Sequence, residues 1–258
     1  MLQFDAETAR ILDDGYQGFD ISRRRLANLA ALSPEPGDTV VDIGAGTGLL
    51  TLDLARAVGE TGTVIAIDPS PEMRAAAATR CSDRANVRIV DGAADRLPLD
   101  TGSTNRAVSL QVFEYVDDIP AALAEVHRVL RPHGRVVIGD IHWDSHVWHA
   151  DDHERMARMM RLWDRHLIER RVPALLPPLL RHAGFAVEAV MPELCHDSVF
   201  RADGLARLMI HLIRAYCRQN RLAAEDEVED WIQEQHRLAE EGRFFFAITH
   251  YVVTARKL

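Results

Sequence analysis

Thr39-Val40-Val41-Asp42-Ile43-Gly44-Ala45-Gly46-Thr47-Gly48 is the stretch on which the fold turns. Residues 39–43 are apolar and β-branched except for Asp42, the pattern of a strand buried on both faces. Glycines at every second position then make a turn, and Leu50, Leu54 and Val58 mark the buried stripe of a helix over 49–58. Such a turn lets the backbone approach a ligand closely and aims N–H groups at it from a helix N-terminus. In doubly wound sheets, ligands bind at this carboxyl end of the strands, where the strand order switches.

Outward from that turn, strand and helix alternate. Residues 63–68 read as a second strand ending in Asp68, twenty residues beyond Gly48, where a carboxylate can accept both hydroxyls of a ribose. An Ala-rich helix follows over 71–80, with Pro71 in its first turn, where a missing N–H costs nothing. Strands are expected over 87–90, 106–111 and 135–141, with an amphipathic helix over 119–130 stopped by Arg131-Pro132-His133-Gly134. Five alternations imply a parallel sheet with helices on both faces.

The pattern changes after Ile141. Residues 142–172 are rich in His and Trp and read as helical; a short helix over 174–182 ends at Gly184, a natural C-cap. A sixth strand is expected over 185–190, amphipathic helices over 202–220 and 224–241, and a last strand over 244–255. The resulting expectation is a doubly wound α/β, Rossmann-like sheet, mostly parallel with an antiparallel last strand, and with helical cap insertions. Residues 1–258 form one domain in this reading, with an N-terminal lid helix over 1–33 and insertions over 142–172 and 197–241.

The glycine turn alone also suits a nicotinamide-binding domain. The spacing here is G-x-G-x-G rather than G-x-G-x-x-G, no Tyr-x-x-x-Lys pair is present, and Asp42 precedes the first glycine by two. Near a cofactor, Asp42 can orient a cationic amine or hydrogen-bond through water. The motifs as a set are more telling. Val41-Asp42-Ile43-Gly44-Ala45-Gly46-Thr47-Gly48, Ala66-Ile67-Asp68-Pro69-Ser70-Pro71-Glu72-Met73, Gly92-Ala93-Ala94-Asp95-Arg96-Leu97-Pro98 and Val126-His127-Arg128-Val129-Leu130-Arg131-Pro132-His133-Gly134 follow one another in order. Together they resemble the motifs of class I S-adenosylmethionine-dependent methyltransferases over residues 20–141 or so, most nearly the small-molecule enzymes of the ubiquinone/menaquinone-biosynthesis type (methyltransferase type 11).

That resemblance implies S-adenosyl-L-methionine as cofactor and methyl transfer to an O, N or C nucleophile of a small molecule. It implies that Gly44, Ala45, Gly46 and Gly48 line the methionine and ribose, and that Asp68 binds the ribose hydroxyls with Pro69 and Met73 beside it. Ala94 offers its N–H to the adenine, Asp95 accepts from the exocyclic amine, Gln111 lies near the methionine end, and Tyr16 sits on a helix that closes over the cofactor. Ala93 stands where the family often carries Asp or Asn, and His133 replaces the first of two usual glycines. The alternatives are an NAD(P)-dependent oxidoreductase and a catalytically silent methyltransferase-fold binding protein.

Methyl transfer demands placement of a nucleophile about 3–3.5 Å from the methyl carbon, in line with sulfur, and no fixed catalytic motif. The candidate bases are His142 and His146, just beyond the fifth strand, and Tyr115, just beyond the fourth; Trp143 and Trp148 can wall an acceptor. His142, His146, His149 and His153 would share one face of a helix, yet no Cys or acid cluster completes a metal site, and none is expected. Leu208, Met209, Leu212, Ile213 and Tyr216 form a helical stripe suited to core packing, a covered acceptor pocket or a homodimer face.

Composition sets outer bounds. The chain has 258 residues, 47% hydrophobic, enough for one substantial core with a cap. Net charge is −9, and the densest basic run is Arg23-Arg24-Arg25, too little for a nucleic-acid surface. Cys81, Cys195 and Cys217 form no paired framework, which suits the cytoplasm. No signal peptide is expected, and no apolar run reaches the ~20 residues that span a bilayer.

Overall fold

A computed structural model describes residues 15–258, and among them one sheet of eight strands organises the chain. In chain order the elements are α1 (Phe19–Leu32), β1 (Thr39–Ile43), α2 (Leu49–Val58), β2 (Thr63–Asp68), α3 (Pro71–Arg80), β3 (Val87–Asp91), β4 (Thr104–Leu110), α4 (Ile119–Val129) and β5 (Leu130–Ile141). There follow β6 (Val147–Trp148), α5 (His153–Asp164), α6 (Val172–His182), β7 (Phe185–Asp197), α7 (Leu205–Asn220), α8 (Glu225–Glu240) and β8 (Phe246–Lys257). The strand order is β3-β2-β1-β4-β5-β8, with β7 on the outer edge of β8 and β6 pairing the start of β8. The first five strands run parallel, while β8 is antiparallel to both β5 and β7.

Alternation along the strands sorts residues onto two faces. Val40, Val64, Val108, Val137 and Val252 pack with Leu32, Leu50, Leu54 and Val58 beneath α1 and α2. Their neighbours Val41, Ile65, Ala107, Val136 and Val253 pack with Leu123, Val126, Leu176 and Leu180 beneath α4 and α6. A third core, rich in Trp and Met, joins α5, α7 and α8 over the carboxyl edge of the sheet. β1 lies between β2 and β4, so the strand order reverses at its carboxyl end, where the chain crosses once to each side.

The region 142–172 departs from the helical expectation. Trp143–Ser145 is a single 3₁₀ turn, β6 pairs with β8, and helix begins only at His153, where Asp152 caps it by accepting from the Arg155 amide at 2.9 Å. The His149 N–H goes to the Phe245 carbonyl (2.9 Å), so sheet pairing takes the donors a helix would need. His142, His146, His149 and His153 therefore do not share a helix face. Strand β7 runs to Asp197 rather than ending near residue 190, because β8 pairs with it along its whole length. The segment expected as a lid helix over 1–33 is helical over Phe19–Leu32, and residues 1–14 lie outside the described residues.

Candidate active site

At the carboxyl end of β1 the chain adopts a conformation that only glycine takes without strain. Gly44 has φ 70°, and a Cβ there would stand 2.2 Å from Val112 Cγ2, so the turn can lie against the end of β4 only without a side chain. Gly46 differs: its φ is 53°, yet a Cβ there would meet nothing within 4 Å and would project into open space of the cleft. The Gly46 amide donates to Asp68 Oδ2 (2.9 Å) and the Ser70 amide to Asp68 Oδ1 (2.9 Å), which fixes the carboxylate beside the glycine turn.

The cleft continues from this cradle toward the cap. Its walls include Tyr16, Gly44, Gly46, Thr47, Asp68, Pro69, Ser70, Met73, Gln111 and Tyr115, and beyond them Trp143 and Trp163 with Leu205, Leu208, Met209 and Leu212. A smaller adjoining recess takes in Asp42, Ala45, Arg25 and Leu50 and shares Arg24, Tyr16 and Gln111 with the main cavity. Gln111 is held at φ 55° while its N–H bonds the Gly139 carbonyl (2.7 Å), a backbone strain of the kind that collects at ligand sites.

Burial dominates the electrostatics. Asp42 is 1% exposed; burial pushes its carboxyl up to about 7, opposed by the Thr51 hydroxyl that donates to its Oδ2 (2.6 Å). Arg24 is 2% exposed, and its Nε and Nη1 have no hydrogen-bond partner among the described residues. Glu114 is buried, with its carboxyl raised by desolvation while the Trp143 indole N–H, the Tyr115 hydroxyl, the Arg24 charge and Gln111 favour the anion. Burial also pushes the Tyr16 hydroxyl up to about 12 and Tyr115 well above the usual phenol range.

Of the residues singled out from the sequence, the structure brings Asp42, Gly44, Ala45, Gly46, Asp68, Pro69, Met73, Gln111, Tyr16 and Tyr115 to these two connected cavities. Gly48, Ala94, Asp95, His142 and His146 do not line them. Gly48 caps α2 at φ 82°, and a Cβ there would press on Ala77 of α3 at 3.0 Å, so this glycine serves helix packing. Ala94 is buried in the turn after β3, and Asp95 is exposed. His146 Nδ1 is engaged with the Trp143 carbonyl (2.8 Å), and the His142 ring lies against Tyr251, 6.4 Å between centroids. Trp148 sits in the cap core against Phe246 and Trp231 rather than at the cleft. Among the described residues, no group of three or more His, Cys, Asp or Glu side chains is placed to hold a metal ion.

Nothing in the sequence singles out Glu114 or Trp163, and Arg24 stands out only within the run Arg23–Arg25 on the helix expected to close over the cofactor. No local signal marks Glu114: an acid a few residues after a strand is common in turns. Arg24 is distinctive only because α1 lies on the sheet with Asn28 above Gly139, which turns its neighbour Arg24 inward.

Residues 41–138 match the family model described as "Methyltransferase domain". The chain is 37% identical over 237 residues to an uncharacterized 37.1 kDa protein in a transposon of Streptomyces fradiae, an alignment covering 88% of this chain and 65% of that one. It is 36% identical over 111 residues to the 2-phytyl-1,4-naphtoquinone methyltransferase of Nostoc sp., covering 42% of this chain and 48% of that enzyme. The chain thus spans less than two thirds of the length of these relatives. In architecture it is similar to the YcgJ protein of Bacillus subtilis, with a TM-score of 0.65 at 18% identity, covering 92% of this chain and 98% of the other. Residues 41–138, which hold the glycine cradle and the Gly46–Asp68 bond, are thus similar to a methyltransferase domain, and the chain shares the fold of that solved structure.

Proposed function

We propose that this protein transfers a methyl group from S-adenosylmethionine to a nucleophilic atom of a small molecule. The observation that carries the reading is the pairing of two features in one cleft: Asp68 fixed by the Gly46 amide, and a buried Arg24 with unpartnered N–H groups. The residues fit the cofactor. The open space at Gly46 admits a ligand backbone, the orphaned Arg24 guanidinium suits an α-carboxylate, and Asp42 suits an α-ammonium.

The cofactor supplies an electrophilic methyl group on a sulfonium; the protein supplies position and a dry cavity. Asp68 keeps a free lone pair on each oxygen for the ribose hydroxyls. Met73 and Pro69 wall the base side, and Gln111 faces the methionine end. Trp143, Trp163 and the α7 side chains Leu208 and Leu212 exclude water from the acceptor side, so the cap formed by 142–172 and 197–241 is the acceptor-binding part of a single domain in this reading. The three cysteines are free and buried, which is compatible with the reducing cytoplasm proposed as its location.

Calorimetric titration with S-adenosylmethionine and S-adenosylhomocysteine tests the proposal. Saturable binding of both is expected. Absence of heat at millimolar cofactor would remove it, and binding without turnover across a broad acceptor panel would favour the silent binding protein.

A further inference from the structure

Two carboxylates line the main cavity, and they face different tasks. Asp68 is tied to backbone amides at the glycine turn. Glu114 lies 1% exposed beside Gln111, Tyr115 and Trp143. Its Oε2 accepts from Trp143 Nε1 at 2.7 Å, Gln111 Nε2 approaches Oε1 at 3.5 Å, and the Tyr115 hydroxyl is also bonded to it. A carboxylate has about four acceptor positions, so three donors leave one. The Trp143 and Gln111 contacts hold this carboxylate at the cavity wall.

The charges along the cleft set what that last position can meet. Arg24 borders both the main cavity and the recess that holds Asp42 and Ala45, which puts its free N–H groups at the amino-acid end of the cofactor. The groups facing Glu114 are Arg24 from α1, Tyr16, Tyr115 and, from β5, Asp140, whose own carboxyl is pushed well above the usual range by burial and by the Glu114 charge. With Arg24 matched by a ligand carboxylate and Asp42 by an ammonium, no cation is left free in the acceptor space. An anionic acceptor would face the Glu114 carboxylate with no free cation, and an apolar acceptor without a donor would leave the fourth position unfilled.

Resting on the methyltransferase reading above, we infer that the acceptor is a neutral, mostly apolar molecule carrying one O–H or N–H, and that Glu114 selects it by accepting that hydrogen. Glu114 is thereby the specificity-determining residue of the cleft. His142 and His146 do not line the cavity; Gln111 and Tyr115, which do, are themselves engaged with Glu114.

Three bicyclic probes of one shape test this on the protein saturated with S-adenosylhomocysteine: 2-naphthol, 2-methoxynaphthalene and 2-naphthoate, titrated at pH 7.5 by fluorescence. The expected result is 2-naphthol bound at least tenfold tighter than 2-methoxynaphthalene, and 2-naphthoate weakest. Glu114→Leu should bring the first two within about threefold of each other while S-adenosylhomocysteine affinity stays within threefold. Equal binding of naphthol and its methyl ether by the wild type, tightest binding of naphthoate, or no binding of any probe at 1 mM overturns the inference, whether or not the variant folds. A wild type that fails to bind S-adenosylhomocysteine overturns the methyltransferase reading instead, and the naphthol-to-ether ratio on the bare protein still decides the role of Glu114.

Discussion

Asp20 in α1 accepts from Arg201 Nη2 at 2.9 and 2.8 Å and from the Leu205 amide at 3.0 Å, which fastens α1, beside the smaller recess, to the first turn of α7, beside the main cavity. Asp20 is 2% exposed, and α7 has no side-chain cap of its own, since Gly204 occupies that position. Its carboxylate therefore does what an N-cap does, supplied from the far side of the chain. Asp20→Ala should cost about 1–3 kcal/mol in denaturant unfolding, because it leaves a helix N–H unpaired and the Arg201 guanidinium with only Asp197 and the His196 carbonyl. Hydrogen exchange should rise at Leu205 and Leu208; unchanged exchange there would show that the contact does not hold the lid.

Asp42 makes stability and ligand affinity depend on pH in opposite senses. Its folded value of about 7 lies above the ordinary carboxyl value, so the folded protein retains a proton that the unfolded chain releases. Its contribution thus falls as pH rises from about 4 to 7 and is level on either side, a loss on the order of 4 kcal/mol at most. Affinity for S-adenosylhomocysteine should instead rise through pH 5.5–7, by up to about tenfold per unit, as the carboxylate forms to meet the ligand ammonium. Asp42→Asn should flatten both curves. A wild-type affinity independent of pH across that window would place the ammonium elsewhere.

Arg24→Met should separate the two ends of the ligand. Loss of a buried, charge-assisted pair lowers S-adenosylhomocysteine affinity by about 10- to 100-fold. Affinity for 5′-methylthioadenosine, which lacks the amino-acid moiety, should stay within about threefold. Equal loss for both ligands would mean that Arg24 supports the fold rather than the carboxylate.

Gly46→Ala and Gly48→Ala should fail in different ways. Both backbones are left-handed, φ 53° and 82°, which costs an alanine about 1–2 kcal/mol. At Gly46 the new methyl points into open cleft and should weaken S-adenosylhomocysteine binding at least tenfold. At Gly48 it meets Ala77 at 3.0 Å, so stability should suffer more than binding. The reverse pattern in paired calorimetry and denaturation would exchange their roles.

The alternation of β1 through β5, the glycine turn and Asp68 were legible in the order of residues, because buried parallel strands are continuously apolar and glycine marks backbone that other residues cannot take. Those are local constraints, each decided within a few positions. The far side of the cleft was legible only in part: Tyr115, Trp143, Leu208, Met209 and Leu212 stood out and line it, but its buried charges did not. Glu114 and Trp143 are 29 residues apart, and Arg24 reaches the cleft only because α1 lies across β4, β5 and β8. The four histidines looked like a helix face, but a 3₁₀ turn and the short β6 take up the segment of the first three, and the helix begins only at His153. Which polar side chains are buried together, and which lose a partner in the process, depends on contacts between distant segments, and those exist only once the cap has closed on the sheet.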